Sequence, residues 1–511
     1  MSYAVGIDLG TTNSVVSVYR RGGIEVLPID GRPTLPSVVS FRDDGNVLVG
    51  RQAKSRMLLA PEDTVASAKR SMGDRAKRYK VGGKLLTPVD ISSMVLRRIV
   101  EGAREALRED VWDAVITVPA YFNEEQREDT KRAGEEAGLN VLRLVPEPTA
   151  AAIAYGLDKG RDQTLMVYDL GGGTFDVSIL QVRGNNFEVK AVGGDSHLGG
   201  DDFDQAIMEW AAARLRQQTG VDLMADSRPE ARAAQQRLKE AAETAKIELS
   251  ESNESTIIIP ELLGHSFEAV LTLDEYNGLI GPLLNRTVEC MHSTLRDARL
   301  SADDIDRVIL VGGSTKTRAV REIVAREIKD PYTSDRVDEV VSHGAAIMAA
   351  SLFAPEEDLA PIQVTDVTAH SLGIDALDDR QQIMFRPIIA RQTPYPCRQG
   401  MLGSTNRPNQ DEVQMRVFRG EEPQPDRNTY LGELSLPVSP PQSQLVPIGA
   451  MFELDADGIL HFTAVQFPLT PAIEPIVQYA VANNGNLDVA GTDALIATGA
   501  VKTRSVTIQN R

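Results

Sequence analysis

Cysteine is scarce in this chain, and its scarcity limits what the protein can be. The 511 residues include only Cys290 and Cys397, which lie far apart in the sequence. Two thiols cannot build a disulfide framework, nor can they supply the about four ligands of a structural zinc site. We therefore expect a reducing compartment and a cytoplasmic protein.

Targeting signals, long apolar runs and an excess of positive charge are missing as well. The N-terminus, MSYAVGIDLGTT, lacks the basic and apolar regions of a secretory signal. No apolar run approaches the about 18 residues that cross a bilayer. Lys+Arg 54 against Asp+Glu 73 give a net charge of −19, which opposes binding to nucleic acid or anionic lipid. We predict neither a nucleic-acid partner nor a membrane partner.

The remaining composition is that of an ordinary soluble globular protein, and the length predicts about three or four folding units. Over residues 1–190, β-branched strands alternate with helical stretches, which is typical of an α/β fold. A strongly helical stretch at 200–250 and a further α/β stretch follow, and we expect the whole of residues 1–352 to form the first domain. The predicted strands are 4–9, 15–19, 114–119, 165–170, 177–182 and 308–311. The predicted helices are 91–108, 124–137, 149–155, 232–250 and 337–352.

The composition changes at residues 353–362, FAPEEDLAPI, where two prolines and an acidic cluster predict a linker, taken as 353–365. Residues 366–467 hold short strands between turn residues, including a hairpin at 452–462, and predict a small antiparallel β domain. The tail, 468–511, is rich in small and apolar residues and has few charges. For the tail, extra strands and partial disorder both stay open.

A weak internal repeat links two glycine-containing turns. The stretch GIDLGTTNS at 6–14 is echoed by YDLGGGTFDVS at 168–178. Asp8 and Asp169 each end an apolar strand and are candidates to hold a hydrated Mg²⁺. The turns between them and the next strands would close backbone N–H groups and hydroxyls on phosphate oxygens. The candidate phosphate-binding residues are Gly10, Thr11, Thr12, Asn13, Gly171, Gly172, Gly173 and Thr174.

For one such loop alone, an ordinary hairpin turn is as good an explanation as phosphate binding. It is a poor explanation for two loops with matched aspartates. A third turn, VILVGGST at 308–315, contains Gly312, Gly313 and Ser314 but no acidic residue. Because it lacks an acidic residue, contact with a nucleoside is favoured over contact with phosphate.

Four charged positions also have ordinary structural explanations that their spacing does not exclude. Glu243 and Lys246 share a helical face. A face of this kind is more often solvated and stabilised by ion pairs than part of a binding site. Lys69 would by default be a surface charge, and Glu147, between two prolines, a capping or turn residue.

Taken together, these motifs resemble the DnaK-type heat-shock chaperones. The resemblance covers about residues 3–467, and the stretch between Lys69 and Pro119 is more similar to the specialised HscC branch. The motifs that carry it are GIDLGTTNS (6–14), VITVPAYFNEEQR (115–127), EPTAAAIAYGL (147–157), YDLGGGTFDVSIL (168–180), HLGGDDFD (197–204), ILVGGST (309–315), DVTAHSLGI (366–374) and FELDADGILHF (452–462).

The resemblance implies an α/β, actin-like ATPase domain of two lobes, followed by a β-sandwich that binds extended peptides. It implies ATP hydrolysis with Mg²⁺, and K⁺ as a further candidate ion. Unfolded polypeptides, a J-domain co-chaperone and a nucleotide-exchange factor are the implied partners.

The residues that match the family's catalytic positions are Asp8, Lys69, Glu147, Asp169 and Thr174. Those on the adenosine side are Glu243, Lys246, Ser250, Gly313, Lys316 and Asp338. Pro119 and Arg127 match the family's relay between domains.

In the β domain, the resemblance implies a peptide groove. The matching positions are Ile374, Leu377, Leu402, Asn406, Val413 and Met415. The alternative for these residues is plain β-sandwich core.

Several positions depart from the family pattern. Lys316 stands where an arginine stacks on adenine, and lysine lacks the planar fork for stacking. The linker reads Ile362, Gln363, Val364, Thr365 in place of an aliphatic run, which predicts weaker coupling between domains. The long charged helical lid is absent from the tail, so we expect client peptides to exchange quickly.

Two other functions compete with a working chaperone. The first is a nucleotide-binding regulatory or co-chaperone protein with weak interdomain coupling. The second is an actin-fold small-molecule kinase, which the β-domain resemblance disfavours.

Overall fold

The computed structural model describes residues 3–156, 162–226, 228–332, 336–353, 361–378, 380–440 and 442–508. Internal contacts divide the chain into two units. Unit 1 comprises residues 1–122 and 129–364, and unit 2 comprises residues 123–128 and 365–511. Within the described ranges, no helix combines the length and apolarity needed to cross a membrane.

Unit 1 is an α/β structure. Its strands are β1 (Tyr3–Asp8), β2 (Asn13–Arg20), β3 (Gly23–Val26), β4 (Leu35–Pro36), β5 (Val38–Phe41), β6 (Val47–Val49), β7 (Thr64–Ala66), β8 (Tyr79–Val81), β9 (Lys84–Leu86), β10 (Val111–Val118), β11 (Asn140–Pro146), β12 (Gln163–Leu170), β13 (Phe175–Arg183), β14 (Asn186–Asp195), β15 (Glu254–Leu262), β16 (His265–Thr272) and β17 (Arg307–Val311). Its helices are α1 (Arg51–Arg56), α2 (Pro88–Leu107), α3 (Glu124–Glu136), α4 (Glu147–Gly156), α5 (Gly200–Thr219), α6 (Pro229–Glu248), α7 (Leu273–Ala298), α8 (Arg318–Glu327) and α9 (Val340–Phe353). The first residues of α3, 124–128, group with unit 2.

The two main sheets of unit 1 repeat one local topology. In the first, with order β11-β10-β1-β2-β3, β1 pairs antiparallel with β2 and parallel with β10. In the second, β12 pairs antiparallel with β13 and parallel with β17. The turns that follow β1 and β12 are the two echoing glycine turns of the sequence. The internal repeat is therefore a repeat of structure, with one Asp-ended strand in each sheet.

Helix α9 is mostly apolar, and most of its residues from Val340 to Ala349 are buried. It packs so closely on β1 that a Cβ atom built on Gly6 would lie 2.0 Å from the backbone N of Ala346. Glycine at position 6 is thus required by the approach of two backbones.

Helix α2 begins at Pro88, three residues before the predicted start, because a capping box defines its N-terminus. The Thr87 hydroxyl accepts a hydrogen bond from the Asp90 N–H at 3.1 Å, and the Asp90 carboxylate accepts one from the Thr87 N–H at 2.7 Å. This reciprocal pair satisfies two N–H groups that the helix leaves free.

Unit 2 is a β-sandwich of two four-stranded antiparallel sheets, β20-β19-β23-β24 and β22-β25-β26-β27. Its core is formed by inward-facing side chains such as Leu372, Val417, Phe452 and Phe462. The strands are β18 (Gln363–Val367), β19 (Leu372–Leu377), β20 (Ile383–Ile389), β21 (Pro394–Tyr395), β22 (Cys397–Ser404), β23 (Glu412–Arg419), β24 (Thr429–Pro437), β25 (Pro447–Leu454), β26 (Leu460–Gln466) and β27 (Lys502–Thr507). The predicted hairpin is the β25–β26 pair, in which Phe452 faces Phe462.

The tail agrees in part with the alternative of extra strands, because it includes one additional strand. It contains two helices that were not predicted, α10 (Glu474–Ala482) and α11 (Val489–Ala497), and the strand β27 pairs antiparallel with β26. Both helices are short and carry little charge, so their signal is weak against the surrounding small residues. Met451, Val465, Phe467, Ile473, Ile476 and Leu487 form a separate apolar cluster beneath them, called here the tail cluster.

The predicted linker begins where α9 ends, at Phe353, and its central part, 354–360, lies outside the described residues. Residues 363–365, also assigned to the linker, begin strand β18 instead, since Gln363, Val364 and Thr365 are extended. The domain boundaries stay a prediction.

Candidate functional site

The two echoing turns lie against each other in unit 1. A Cβ built on Gly172 would lie 2.0 Å from the Thr12 Oγ1, and one built on Gly173 would lie 2.8 Å from the Thr11 Cγ2. Neither glycine has room for a side chain, because the two turns pack directly on each other. The structure thus brings together the predicted phosphate-binding residues of both turns.

Asp8 and Asp169 lie near a third carboxylate, Glu147. Burial, followed by the charge of Glu147, raises the pKa of Asp8 to about 7, while Lys69 lowers it. Burial, Glu147 and Asp176 also raise the pKa of Asp169 well above its ordinary value. This concentration of carboxylates in a low dielectric is a feature of functional sites rather than of surface ion pairs.

Lys69 is the cation of this cluster. Its ammonium lies 2.5 Å from the Glu147 Oε1, and both side chains are buried. The default expectation of a surface lysine is therefore wrong. Glu147 is the first residue of α4, where the helix dipole also favours its negative charge.

The remaining catalytic candidate, Thr174, is buried in the second turn, where its carbonyl accepts a hydrogen bond from the Gly171 N–H at 3.1 Å. In the first turn, a Cβ on Gly10 would lie 2.0 Å from the Asn13 carbonyl oxygen. Among the described residues, no group of three or more His, Cys, Asp or Glu side chains is arranged to hold a metal directly. The prediction for Asp8 and Asp169 concerns a hydrated ion, whose waters rather than the ion would contact the carboxylates.

The third glycine turn lies beside the second. Gly312 has a φ of +83°, a conformation that only glycine adopts without strain, and its Cβ would lie 2.5 Å from the Leu170 carbonyl oxygen. The Ser314 hydroxyl donates to the Gly171 carbonyl at 2.8 Å. The predicted nucleoside turn is thus connected directly to the predicted phosphate turn.

The adenosine-side candidates lie around this third turn and along α6. Lys316 forms a 2.5 Å ion pair with Asp338, and a Cβ on Gly313 would lie 3.1 Å from an Asp338 carboxylate oxygen. Ser250 donates its hydroxyl to the Lys246 carbonyl at 3.4 Å.

Glu243 and Lys246 do not pair with each other, although they share a helical face. Glu243 pairs with Lys54 at 3.2 Å, and Lys246 pairs with the buried Asp204 at 2.8 Å. Lys246 also donates to the Gly200 carbonyl at 3.0 Å. The helix therefore uses the two charges to join separate parts of unit 1.

Sequence reasoning missed several residues that hold the turns in place. The Arg70 guanidinium donates to the Gly173 carbonyl at 3.0 Å and to the Asp202 carboxylate at 2.6 Å. The Asp201 N–H donates to the Gly172 carbonyl at 2.8 Å. The Thr117 hydroxyl donates to Asp8 at 3.2 Å. For Asp201 and Asp202, the signal in the sequence is the run HLGGDDFD at 197–204, in which two glycines precede two aspartates.

In unit 2, the predicted peptide-groove residues do not share one environment. Ile374 and Met415 are buried in the sandwich core, and Val413 packs against that core. Leu377 and Asn406 are exposed, whereas Leu402 packs against the tail cluster. Ile374 and Met415 therefore lie where the alternative of plain β-sandwich core places them.

The two relay candidates are both buried. Pro119 follows β10 in unit 1, and Arg127 belongs to the part of α3 that groups with unit 2. Their role as a relay stays a prediction.

Comparison with known proteins gives a consistent result. The family described as Hsp70 protein matches residues 4–477. Chaperone protein DnaK of Thermus thermophilus is 46% identical over 496 residues, covering 91% of this chain and 78% of the relative. The DnaK of a second strain of that species gives the same values, and the DnaK of Thermotoga neapolitana is 43% identical over 474 residues, covering 90% and 78%. The chain therefore belongs to the Hsp70 protein family.

Proposed function

We propose that this ATP-dependent chaperone hydrolyses ATP at the cluster formed by Asp8, Lys69, Glu147, Asp169 and Thr174. The observation that carries the proposal is the buried Lys69–Glu147 pair, which lies among two further carboxylates next to the abutting glycine turns. A buried cation beside two glycine turns suits phosphoryl transfer, since that reaction depends on positioning and charge neutralisation.

The residues present fit a hydrated Mg²⁺. Burial and the charge of Glu147 raise the pKa of both Asp8 and Asp169, so a bound cation would stabilise the charged forms of these two carboxylates. Carboxylate oxygens also suit the ion's preference for hard ligands. When bound with nucleotide, the ion would neutralise charge on the phosphate oxygens. Asp8 and Asp169 would orient its waters. K⁺ stays a candidate without a residue assigned to it.

The protein's own residues supply the rest of the chemistry. Lys69 stabilises negative charge that develops on the transferred phosphoryl group. Glu147 holds the Lys69 ammonium in place, and with Asp169 it orients the attacking water. The Thr174 hydroxyl donates a hydrogen bond to the terminal phosphate.

The nucleoside is proposed to lie on the side of the third glycine turn, near Glu243, Lys246, Ser250, Gly313, Lys316 and Asp338. Lys316 is already paired with Asp338 at 2.5 Å. An ammonium held in this way is not free to stack on adenine, so we expect weaker base binding than an arginine would give.

The partners of a DnaK-type chaperone are unfolded polypeptides, and we propose extended apolar segments as the ligands of unit 2. A J-domain co-chaperone and a nucleotide-exchange factor are the proposed regulators. The similarity to the HscC branch, the missing lid and the cytoplasmic location stay predictions.

The test is the rate of ATP hydrolysis in a single turnover with Lys69→Ala. Removing the ammonium should lower the rate by about a hundredfold or more, because it takes away both transition-state charge and the partner of Glu147. Lys190→Ala is the matched control, since Lys190 forms a partly exposed pair with Glu188 on β14 and should leave the rate unchanged. A Lys69→Ala protein that binds ATP and hydrolyses it at the wild-type rate would contradict the assigned site.

A further inference from the structure

A segment of the chain itself lies against the edge of β22. Residues 484–488, called here the edge segment, connect α10 to α11. The Leu402 N–H donates to the Gly485 carbonyl at 2.9 Å, and the Leu487 N–H donates to the Gly400 carbonyl at 2.8 Å. Met401 and Asn486 are opposed between these two bonds as an antiparallel bridge. The edge segment is therefore joined to β22 by one antiparallel bridge and two main-chain hydrogen bonds.

One apolar side chain of the edge segment enters a pocket. Leu487 is 4% exposed and belongs to the tail cluster. A Cβ on Gly400 would lie 3.1 Å from the Leu487 Cβ, and one on Gly449 would lie 3.1 Å from its Cδ2. The two glycines leave space for a leucine-sized side chain on the face of the sheet.

The edge segment continues at both ends into a helix of the tail. Asn484 and Gly485 both have positive φ, so the chain leaves α10 through a tight left-handed turn. On the other side, Asp488 caps α11 by accepting from the Gly491 N–H at 3.0 Å. A bidentate ion pair of Arg398 with Asp493 joins α11 to β22 at 2.6 and 3.0 Å, and both of its side chains are largely solvent-accessible.

This arrangement has the two elements of peptide recognition by strand addition. Main-chain hydrogen bonds to a sheet edge give affinity, and a pocket for a side chain gives selectivity. It also involves Leu402, which was predicted from the sequence to contact client peptide and whose N–H bonds to the edge segment instead.

We propose that the edge of β22 is a binding site for extended peptides with a leucine-sized side chain, and that the edge segment is its resident occupant. The inference rests on the proposed binding of extended apolar segments by unit 2 and specifies how that binding is regulated. A client peptide binds here only when the edge segment has left. The apparent affinity is then the intrinsic affinity multiplied by the fraction of molecules with a free edge.

A reversible covalent lock tests this competition. Met401 and Asn486 form a non-hydrogen-bonded antiparallel pair, the type in which opposed side chains lie closest. The variant Met401→Cys/Asn486→Cys, made with Cys290→Ala and Cys397→Ala, should form a disulfide that holds the edge segment in place. A fluorescent leucine-containing heptapeptide is titrated by anisotropy against the oxidised and the reduced forms of the full chain. The reduced form is the matched control.

We expect the oxidised form to bind the peptide at least about tenfold more weakly than the reduced form. A second variant, Leu487→Ser, removes the apolar contact that holds the segment and should bind at least about tenfold more tightly than wild type. Equal affinities of the oxidised and reduced forms, or of wild type and Leu487→Ser, overturn the inference. They do not contradict client binding by unit 2. Absence of binding in wild type and in every variant, with ATP hydrolysis intact, overturns client binding by unit 2 itself.

Discussion

At the scale of single residues, the candidate site depends on positions where a side chain is excluded. Gly172 is the clearest case, because its Cβ would lie 2.0 Å from the Thr12 hydroxyl. The sequence predicted this site from local pattern: Asp8 and Asp169 each end a strand and precede glycines. It did not predict that Lys54 pairs with Glu243 or Lys246 with Asp204, because pairs so distant in sequence form only once the fold exists.

We predict that Gly172→Ala destabilises unit 1 by about 1–3 kcal/mol, since the added methyl group has no space beside Thr12. Chemical denaturation of the nucleotide-free protein measures the change. Gly171→Ala is the control, because its Cβ has no neighbour closer than 3.8 Å and should change the free energy of unfolding by less than about 0.5 kcal/mol. Thr12→Ala should recover part of the loss in the double variant. Equal stabilities of the two glycine variants would contradict this steric account.

At the scale of elements, the strands and helices of unit 1 followed from hydrophobic periodicity. The strand predicted at 165–170 is found as Gln163–Leu170, and the helix predicted at 124–137 as Glu124–Glu136. The helices of the tail were missed because Glu474–Ala482 and Val489–Ala497 are stabilised by burial against a sheet rather than by their own periodicity. Tertiary packing of this kind has no local signal.

Helices α5 and α6 are joined by the buried pair of Asp204 and Lys246, which predicts a pH dependence. Burial raises the pKa of Asp204 to about 6, against the lowering effect of Lys246. Because the folded-state pKa lies above the ordinary value, the contribution of Asp204 to stability is full below about pH 4 and is lost as pH rises through about 6. Asp204→Asn removes this titration.

We therefore expect the melting temperature of Asp204→Asn relative to wild type to increase between pH 4.5 and pH 7.5. Asp222→Asn is the control, because Asp222 forms an exposed pair with Arg216 and should show no such trend. A difference between Asp204→Asn and wild type that is constant over this range would contradict the assigned titration.

At the scale of the whole molecule, the sequence predicted an ATPase domain followed by a β domain, and the chain divides into units of these two kinds. The sequence also contains two tryptophans, and both of them, Trp112 on β10 and Trp210 on α5, lie in unit 1. Tryptophan fluorescence consequently reports unfolding of unit 1 separately from unit 2.

We predict that MgATP raises the fluorescence-detected melting temperature of a hydrolysis-deficient protein such as Lys69→Ala. At a ligand concentration of 100 times Kd, binding to the folded state alone adds about 2.7 kcal/mol of stability. AMP at the same concentration should give a smaller shift, because it lacks the β- and γ-phosphates that we propose to face the two turns. Equal shifts with both nucleotides would show that the turns contribute nothing to binding.

The route from β26 to β27 has a consequence for the order of folding. The two strands pair along their full length, from His461 with Thr507 to Gln466 with Lys502, but α10, α11 and the edge segment lie between them in the chain. Closing so long a loop costs more chain entropy than closing the tight β25–β26 turn, and contacts between distant residues form later. During synthesis, the β25–β26 hairpin is available well before its outer neighbour emerges from the ribosome. Until then the outer edge of β26 carries unpaired backbone groups, so the nascent sandwich passes through a stage in which it is itself prone to aggregation.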